Sequence, residues 1–146
     1  MFNTAKASST YLYIPYYSPR FAIDGKISDI GRHFYHSKRE DFPWFQLRIP
    51  EGYVSGVEIV ARSDCCGNRL KNIEIRAGMT SVPDGFKGQL TVNTKVGFFP
   101  GPASNGQTFI ISFDKRVLAK YITLQNIGED VLLEINEVTI LKGTEF

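Results

Sequence analysis

Arg62-Ser63-Asp64-Cys65-Cys66-Gly67-Asn68-Arg69 is the stretch from which the chain is best read. It is short and polar, with an arginine at each end. On its N-terminal side residues 56–62 alternate, with Val57, Ile59 and Ala61 on one face. On its C-terminal side residues 72–77 alternate too. Ile73 and Ile75 take one face, Glu74 and Arg76 the other. A period of two on both sides makes the stretch a loop between half-buried strands.

The same period extends outward. Residues 43–49 place Phe45, Leu47 and Ile49 on one face, and further strands are predicted over 89–96, 108–113, 120–126 and 131–141. No segment sustains a 3.6-residue apolar stripe. Thirteen Gly and seven Pro divide the chain into short segments, which is the rhythm of an all-β sandwich. The last strand breaks its own alternation: Leu133 and Ile135 are odd-numbered, Val138 and Ile140 even-numbered. One face holds both sets only with an extra residue, so a β-bulge is expected near Asn136-Glu137. Residues 11–39 are irregular and rich in Tyr, Ser and Pro. So long an irregular segment in a compact domain points to function or a bound ion. Residues 80–88 and 99–106 read as loops.

The 146 residues are one domain's worth of chain, read as a single domain over 1–146. Apolar residues make up 42% and charged residues 22%, which excludes a disordered chain, a collagen and a disulfide-packed mini-protein. A net charge of +2 gives no support for nucleic-acid or anionic-membrane binding by bulk electrostatics. No run approaches the roughly 18 apolar residues of a membrane span. Residues 1–6 lack the apolar core of a signal peptide, so the expectation is a cytosolic protein or a mature or excised domain.

Cys65 and Cys66 are the only cysteines, so an intrachain disulfide would have to join neighbours. Such a bond closes almost no loop and adds little chain-entropy stability. It would supply a stiff turn with a flat, polarizable sulfur face. Two reduced thiols in a loop are the other reading. A zinc site is excluded by too few His and Cys partners. Arg62 and Arg69 can both point out of the loop with Asp64 between them, one carboxylate holding two guanidinium forks. Two fixed forks beside an apolar face suit a pyranose, and a structural Arg–Asp–Arg cluster is the plainer alternative.

The block Arg62-x-Asp64-Cys65-Cys66-Gly67-x-Arg69-Leu70, with His36 separated from Arg62 by 25 residues, resembles the F-type lectins (fucolectins) of the discoidin-like superfamily. Ala22-Ile23-Asp24-Gly25, Phe34-Tyr35-His36, Pro43-Trp44-Phe45 and Asn136-Glu137-Val138 resemble further family anchors in the same order. The resemblance implies a discoidin-like β-sandwich, a jelly roll of about eight strands with long loops at one end. It implies a lectin for terminal L-fucose: His36 donating to a hydroxyl, Arg62 and Arg69 holding hydroxyl and ring oxygens, and a Cys65–Cys66 disulfide under the ring. Tyr35 would wall the pocket against the 6-methyl group, and His33 is the reserve histidine.

The resemblance also implies a structural calcium ion with oxygen ligands. These map to the Asp24 and Glu137 side chains and to backbone oxygens near Phe21, Lys26, Ser37 and Asn136. The family usually has Asn where Phe21 and Lys26 stand. Many members have Cys where Asn136 stands, so their outer disulfides are absent here. Residues 72–79 and 82–86 look most like the lectin repeats of bivalve sperm bindin. That likeness implies an extracellular or acrosomal protein in gamete adhesion, with fucosylated glycans, egg-coat glycans among them, as partners and tandem repeats or oligomers for avidity.

No enzyme is expected. There is no phosphate loop, no Gly-x-Ser-x-Gly and no nucleophile–base–orienter set. Two other functions compete with sugar binding. One is a discoidin-like adhesion module for protein or membrane surfaces, using exposed Tyr16, Tyr17 and Phe34. The other is an anion site for sulfate or sulfated glycans at Arg62, Arg69 and His36.

Overall fold

The computed structural model describes residues 3–13 and 15–143; residues 1–2, 14 and 144–146 of the expected single domain lie outside them. Eight strands form among the described residues: β1 (Thr4–Ala7), β2 (Tyr35–His36), β3 (Trp44–Val60), β4 (Ile73–Gly78), β5 (Thr94–Phe99), β6 (Thr108–Asn126), β7 (Glu134–Ile135) and β8 (Glu137–Lys142). The main sheet has the order β1-β3-β6-β4-β5, with β8 also on β3, and β2 and β7 make a separate pair. Every pairing is antiparallel. The all-β sandwich is as expected.

Two strands are longer than their sequence pattern suggests. β3 joins what reads as separate strands at 43–49 and 56–62, and β6 joins 108–113 to 120–126. Their mutual register shifts between Arg48 and Gly52 and again between Val54 and Gly56. Such irregularities bend a ladder without ending it. The two halves of β3 then have different neighbours. Residues 45–48 pair with β1 and residues 44–48 with residues 121–125 of β6; residues 56–60 pair with β8 and with residues 108–112. Gly56 permits the bend, because a Cβ there would lie 2.7 Å from the Ile111 carbonyl oxygen. Phe45, Leu47, Val57, Ile59, Ile73, Ile75, Ile122 and Leu124 all enter one core.

The expected strand at 89–96 is a correction. β5 begins at Thr94, just after Asn93, whose φ of 68° breaks any extended run. Leu90 is buried with Trp44 and Val82 in a small cluster on the outer face of the sheet. The segment is held there by side chains: Trp44 Nε1 donates to the Phe86 carbonyl at 2.8 Å, and the Leu90 N–H donates to Gln125 Oε1 at 2.9 Å.

The break at Asn136 takes a different form from a simple bulge. β7 belongs to the small pair and β8 to the main sheet, and Asn136 sits between them, donating its N–H to the Val60 carbonyl at 2.9 Å. Spending one residue on that transfer resets the alternation, so Leu133, Ile135 and Val138 all reach the core.

Candidate functional site

The pairing of β2 with β7 sets His36 opposite Glu134 and Tyr35 opposite Ile135. Opposed residues of an antiparallel pair share a face. Tyr35 therefore turns to the core with Ile135. It is fully buried, packs on Phe45 with ring centroids 5.6 Å apart, and donates its hydroxyl to the Ser9 carbonyl at 2.8 Å. This corrects its expected role as a pocket wall: a residue next to His36 on a strand must face the other way. Burial pushes its phenol pKa well up.

Glu134, 2% exposed, lies with His36 on the opposite face. Its carboxylate gathers the site. Arg69 Nη1 donates to Oε1 at 2.7 Å, Arg62 Nη1 donates to Oε2 at 3.3 Å, and His36 Nε2 lies 3.4 Å from Oε1. The expectation that Asp64 holds both arginines is corrected. Asp64 grips Arg62 alone, accepting from Nε at 2.8 Å and Nη2 at 3.1 Å, and that fork draws its carboxyl pKa down. The remaining side of Arg62 lies over the Phe34 ring, 4.8 Å from its centroid. Phe34 is thus buried under the site rather than exposed for adhesion.

Sequence reasoning missed Glu134. The available signal was its place between Leu133 and Ile135, both core-facing, which puts it on the other face. The arginines it holds are 72 and 65 residues away, and alternation cannot name such partners.

Cys65 and Cys66 form the vicinal disulfide. Cys66 turns through a left-handed φ of 65° into a short 3-10 helix, Gly67–Arg69, which aims Arg69 back at Glu134. Only glycine fits at 67: a Cβ would lie 2.5 Å from the Ser104 carbonyl oxygen. The loop is tied on by the Gly67 N–H donating to Asn105 Oδ1 at 2.9 Å.

His36 is 6% exposed. Its Nδ1 donates to the Ser37 carbonyl at 2.6 Å, since a carbonyl can only accept. Tyr11 stacks on the ring at 4.5 Å, and Tyr17 meets it edge-on at 5.4 Å. Burial is the main cause of its lowered pKa; Glu134 opposes that shift, and the two arginines add to it. His33 instead packs against Phe21 and Tyr16.

Of the residues expected around calcium, Asp24, Lys26, Asn136 and Glu137 come together at a second place. Glu137 Oε2 accepts the Gly25 N–H at 3.0 Å, while Oε1 is buried without a hydrogen-bond partner. Burial, with Asp24 nearby, pushes the Glu137 carboxyl up to about 8. Asp24 Oδ1 accepts the Lys26 N–H at 2.9 Å. The Asn136 amide clamps the loop, accepting from the Ser28 N–H at 2.9 Å and donating to its carbonyl at 2.8 Å. An orphaned carboxylate oxygen beside a second carboxylate fits a hard divalent cation. Among the described residues no group of three or more His, Cys, Asp or Glu side chains gathers for a metal. The further donors would be backbone carbonyls such as those near Phe21, Lys26, Ser37 and Asn136; that of Ser37 also holds the His36 ring.

The sandwich is that of one domain class. The F5/8 type C domain family matches residues 4–138, and the chain belongs to that family. Fucolectin-1 of Anguilla japonica is 25% identical over 125 residues, covering 84% of this chain and 66% of that protein. A fucolectin from striped bass (Morone saxatilis) serum superposes with a TM-score of 0.83 at 28% identity, covering 96% of this chain and 46% of that one. The chain thus spans less than two thirds of either relative. The lectin domain of lectinolysin, solved with Lewis b antigen, superposes at 0.75 with 21% identity, covering 97% and 94% of the two chains, and shows the same fold.

Proposed function

We propose that this domain is a carbohydrate-binding lectin module for terminal L-fucose. The observation that carries the reading is the buried Glu134 carboxylate, which holds Arg62 and Arg69 in one array beside His36 at the Cys65–Cys66 loop. With one side of each fork fixed on a carboxylate, the other N–H groups are oriented for hydroxyl and ring oxygens. The disulfide offers an apolar surface for the C–H face of the sugar. The relatives' names, fucolectin in eel and bass, point to the same sugar. The array is also charge-balanced, two guanidinium groups against Glu134 and Asp64, which argues against free sulfate as the ligand here.

A calcium ion at Asp24 and Glu137 would neutralise the paired carboxylates and brace residues 24–28, which pack on the site through Ser63 Oγ donating to the Ser28 carbonyl at 2.6 Å. The disulfide suits an oxidising, extracellular or vesicular setting. Adhesion to fucosylated glycoproteins, with repeats or oligomers supplying avidity, follows from weak single-site binding. Gamete recognition is the specific form that the bindin-like runs at 72–79 and 82–86 favour.

The test is calorimetric titration of oxidised, calcium-loaded protein with L-fucose, with D-galactose as control. Saturable heat with fucose alone is expected. No heat with either sugar, from folded protein, would overturn the reading in favour of a protein-adhesion module.

A further inference from the structure

Next to the proposed fucose site is a cavity of about 240 Å³ whose lining includes Arg39, Asn68, Arg69, Lys71 and Asp130. These side chains come from three parts of the chain: the segment after β2, the loop leading into β4, and the turn between β6 and β7. Arg39 Nη1 donates to the Asp130 carbonyl at 3.0 Å, which positions the guanidinium without neutralising it. Neither Arg39 nor Lys71 has a carboxylate ion-pair partner among the described residues. Arg69 is paired with Glu134, so the two remaining cations of the lining, Arg39 and Lys71, face the one carboxylate of Asp130.

Arg69 joins this cavity to the fucose site. Its Nη1 is committed to Glu134, but its side chain is 40% exposed, leaving other N–H groups toward the cavity. A sugar held by Arg69 would thus have its neighbour in the glycan close to Arg39 and Lys71. Exposed cations bind a free anion weakly and are screened by salt. An anion tethered to a ligand already anchored meets them at high effective concentration.

We infer that the Arg39–Arg69–Lys71 cavity is a subsite for an oxyanion, a sulfate ester or a carboxylate, carried on the sugar next to the terminal fucose. The inference rests on the fucose reading, because the fucose supplies the anchor.

The test is binding to an array of fucosylated glycans in neutral, sulfated and sialylated forms, with fucose-free sulfated glycans and free L-fucose alongside. The wild-type domain should prefer acidic fucosylated glycans roughly five- to ten-fold over their neutral counterparts at low salt, less at 150 mM salt. Which acidic form gains identifies the oxyanion. The Arg39→Gln/Lys71→Gln double variant should lose the preference and keep wild-type affinity for L-fucose, which also shows that it is folded. Equal binding of acidic and neutral forms, with L-fucose still bound, overturns the subsite and leaves the fucose reading standing. Equal binding of fucose-free sulfated glycans overturns the tethered form of the proposal. Failure to bind L-fucose removes both.

Discussion

Glu134 bears more on the site than the residues that announce it in the sequence. Two guanidinium groups are held by one buried carboxylate beside an imidazole, so removing the carboxylate changes the aim of both arginines. Arg69→Ala should abolish fucose binding while moving the thermal midpoint by only a few degrees, because its side chain is 40% exposed. Glu134→Ala should lose binding and also about 1–2 kcal/mol of stability. That is less than the loss for a fully buried pair, because both arginines reach solvent. Calorimetry with chemical denaturation checks both; normal fucose affinity in Glu134→Ala would remove it as the organiser. Asp64 gives a pH signature. Its folded-state pKa is drawn down by the Arg62 fork. Its contribution is therefore complete above the unfolded carboxyl value near ~4 and is lost as pH falls through the lower folded value. Asp64→Asn should be less stable than wild type at pH 7, with the gap closing below about pH 4. A gap that is constant with pH would show that the Arg62–Asp64 fork contributes nothing through charge.

At the scale of elements, the 61–69 loop and the β2–β7 pair are separate structures that must be brought together. The loop is shaped by its own backbone: a left-handed Cys66, a glycine against Ser104, and a disulfide that stiffens the turn. Gly67→Ala should push the loop off the Ser104 carbonyl, weaken fucose binding at least ten-fold and lower stability by about 1–3 kcal/mol. Unchanged affinity would show that the loop tolerates a different path. Reduction of Cys65–Cys66 should weaken binding more than it destabilises folding, since the bond closes almost no loop. Affinity unaffected by a strong reductant would show that the sulfur face is not a platform. The β2–β7 pair is only two residues per strand, yet it selects which of Tyr35 and His36 enters the site.

At the scale of the whole molecule, the irregular 11–39 segment reaches the core through Ala22 and Tyr35 and the site through Tyr11, Tyr17 and His36. Calcium at Asp24 and Glu137 would act on that segment. An ion present at about 100 times its Kd stabilises by roughly 2.7 kcal/mol. For a domain of this size that is a rise of roughly 5–10 °C in thermal midpoint. Glu137→Gln should lose most of it. Midpoints that match in calcium and in chelator would exclude the ion.

Much was determined by the sequence itself. Period-two alternation at 43–49, 56–62 and 72–77 determined strands and their core faces, because side-chain direction along a strand is local. The broken parity at 133–140 announced an irregular residue for the same reason. The adjacent cysteines left each other as the only intrachain partner. Tertiary structure decided what depends on pairing between distant segments. It joined half-strands into β3 and β6, since a register shift can bend a ladder without breaking it. It laid residues 80–90 over Trp44 and sent Tyr35 to the core. It set Glu134, rather than Asp64, between the arginines. A carboxylate's sequence position does not reveal which guanidinium groups it will meet; only the register of β2 on β7 and the path of the 61–69 loop put them within 3.3 Å.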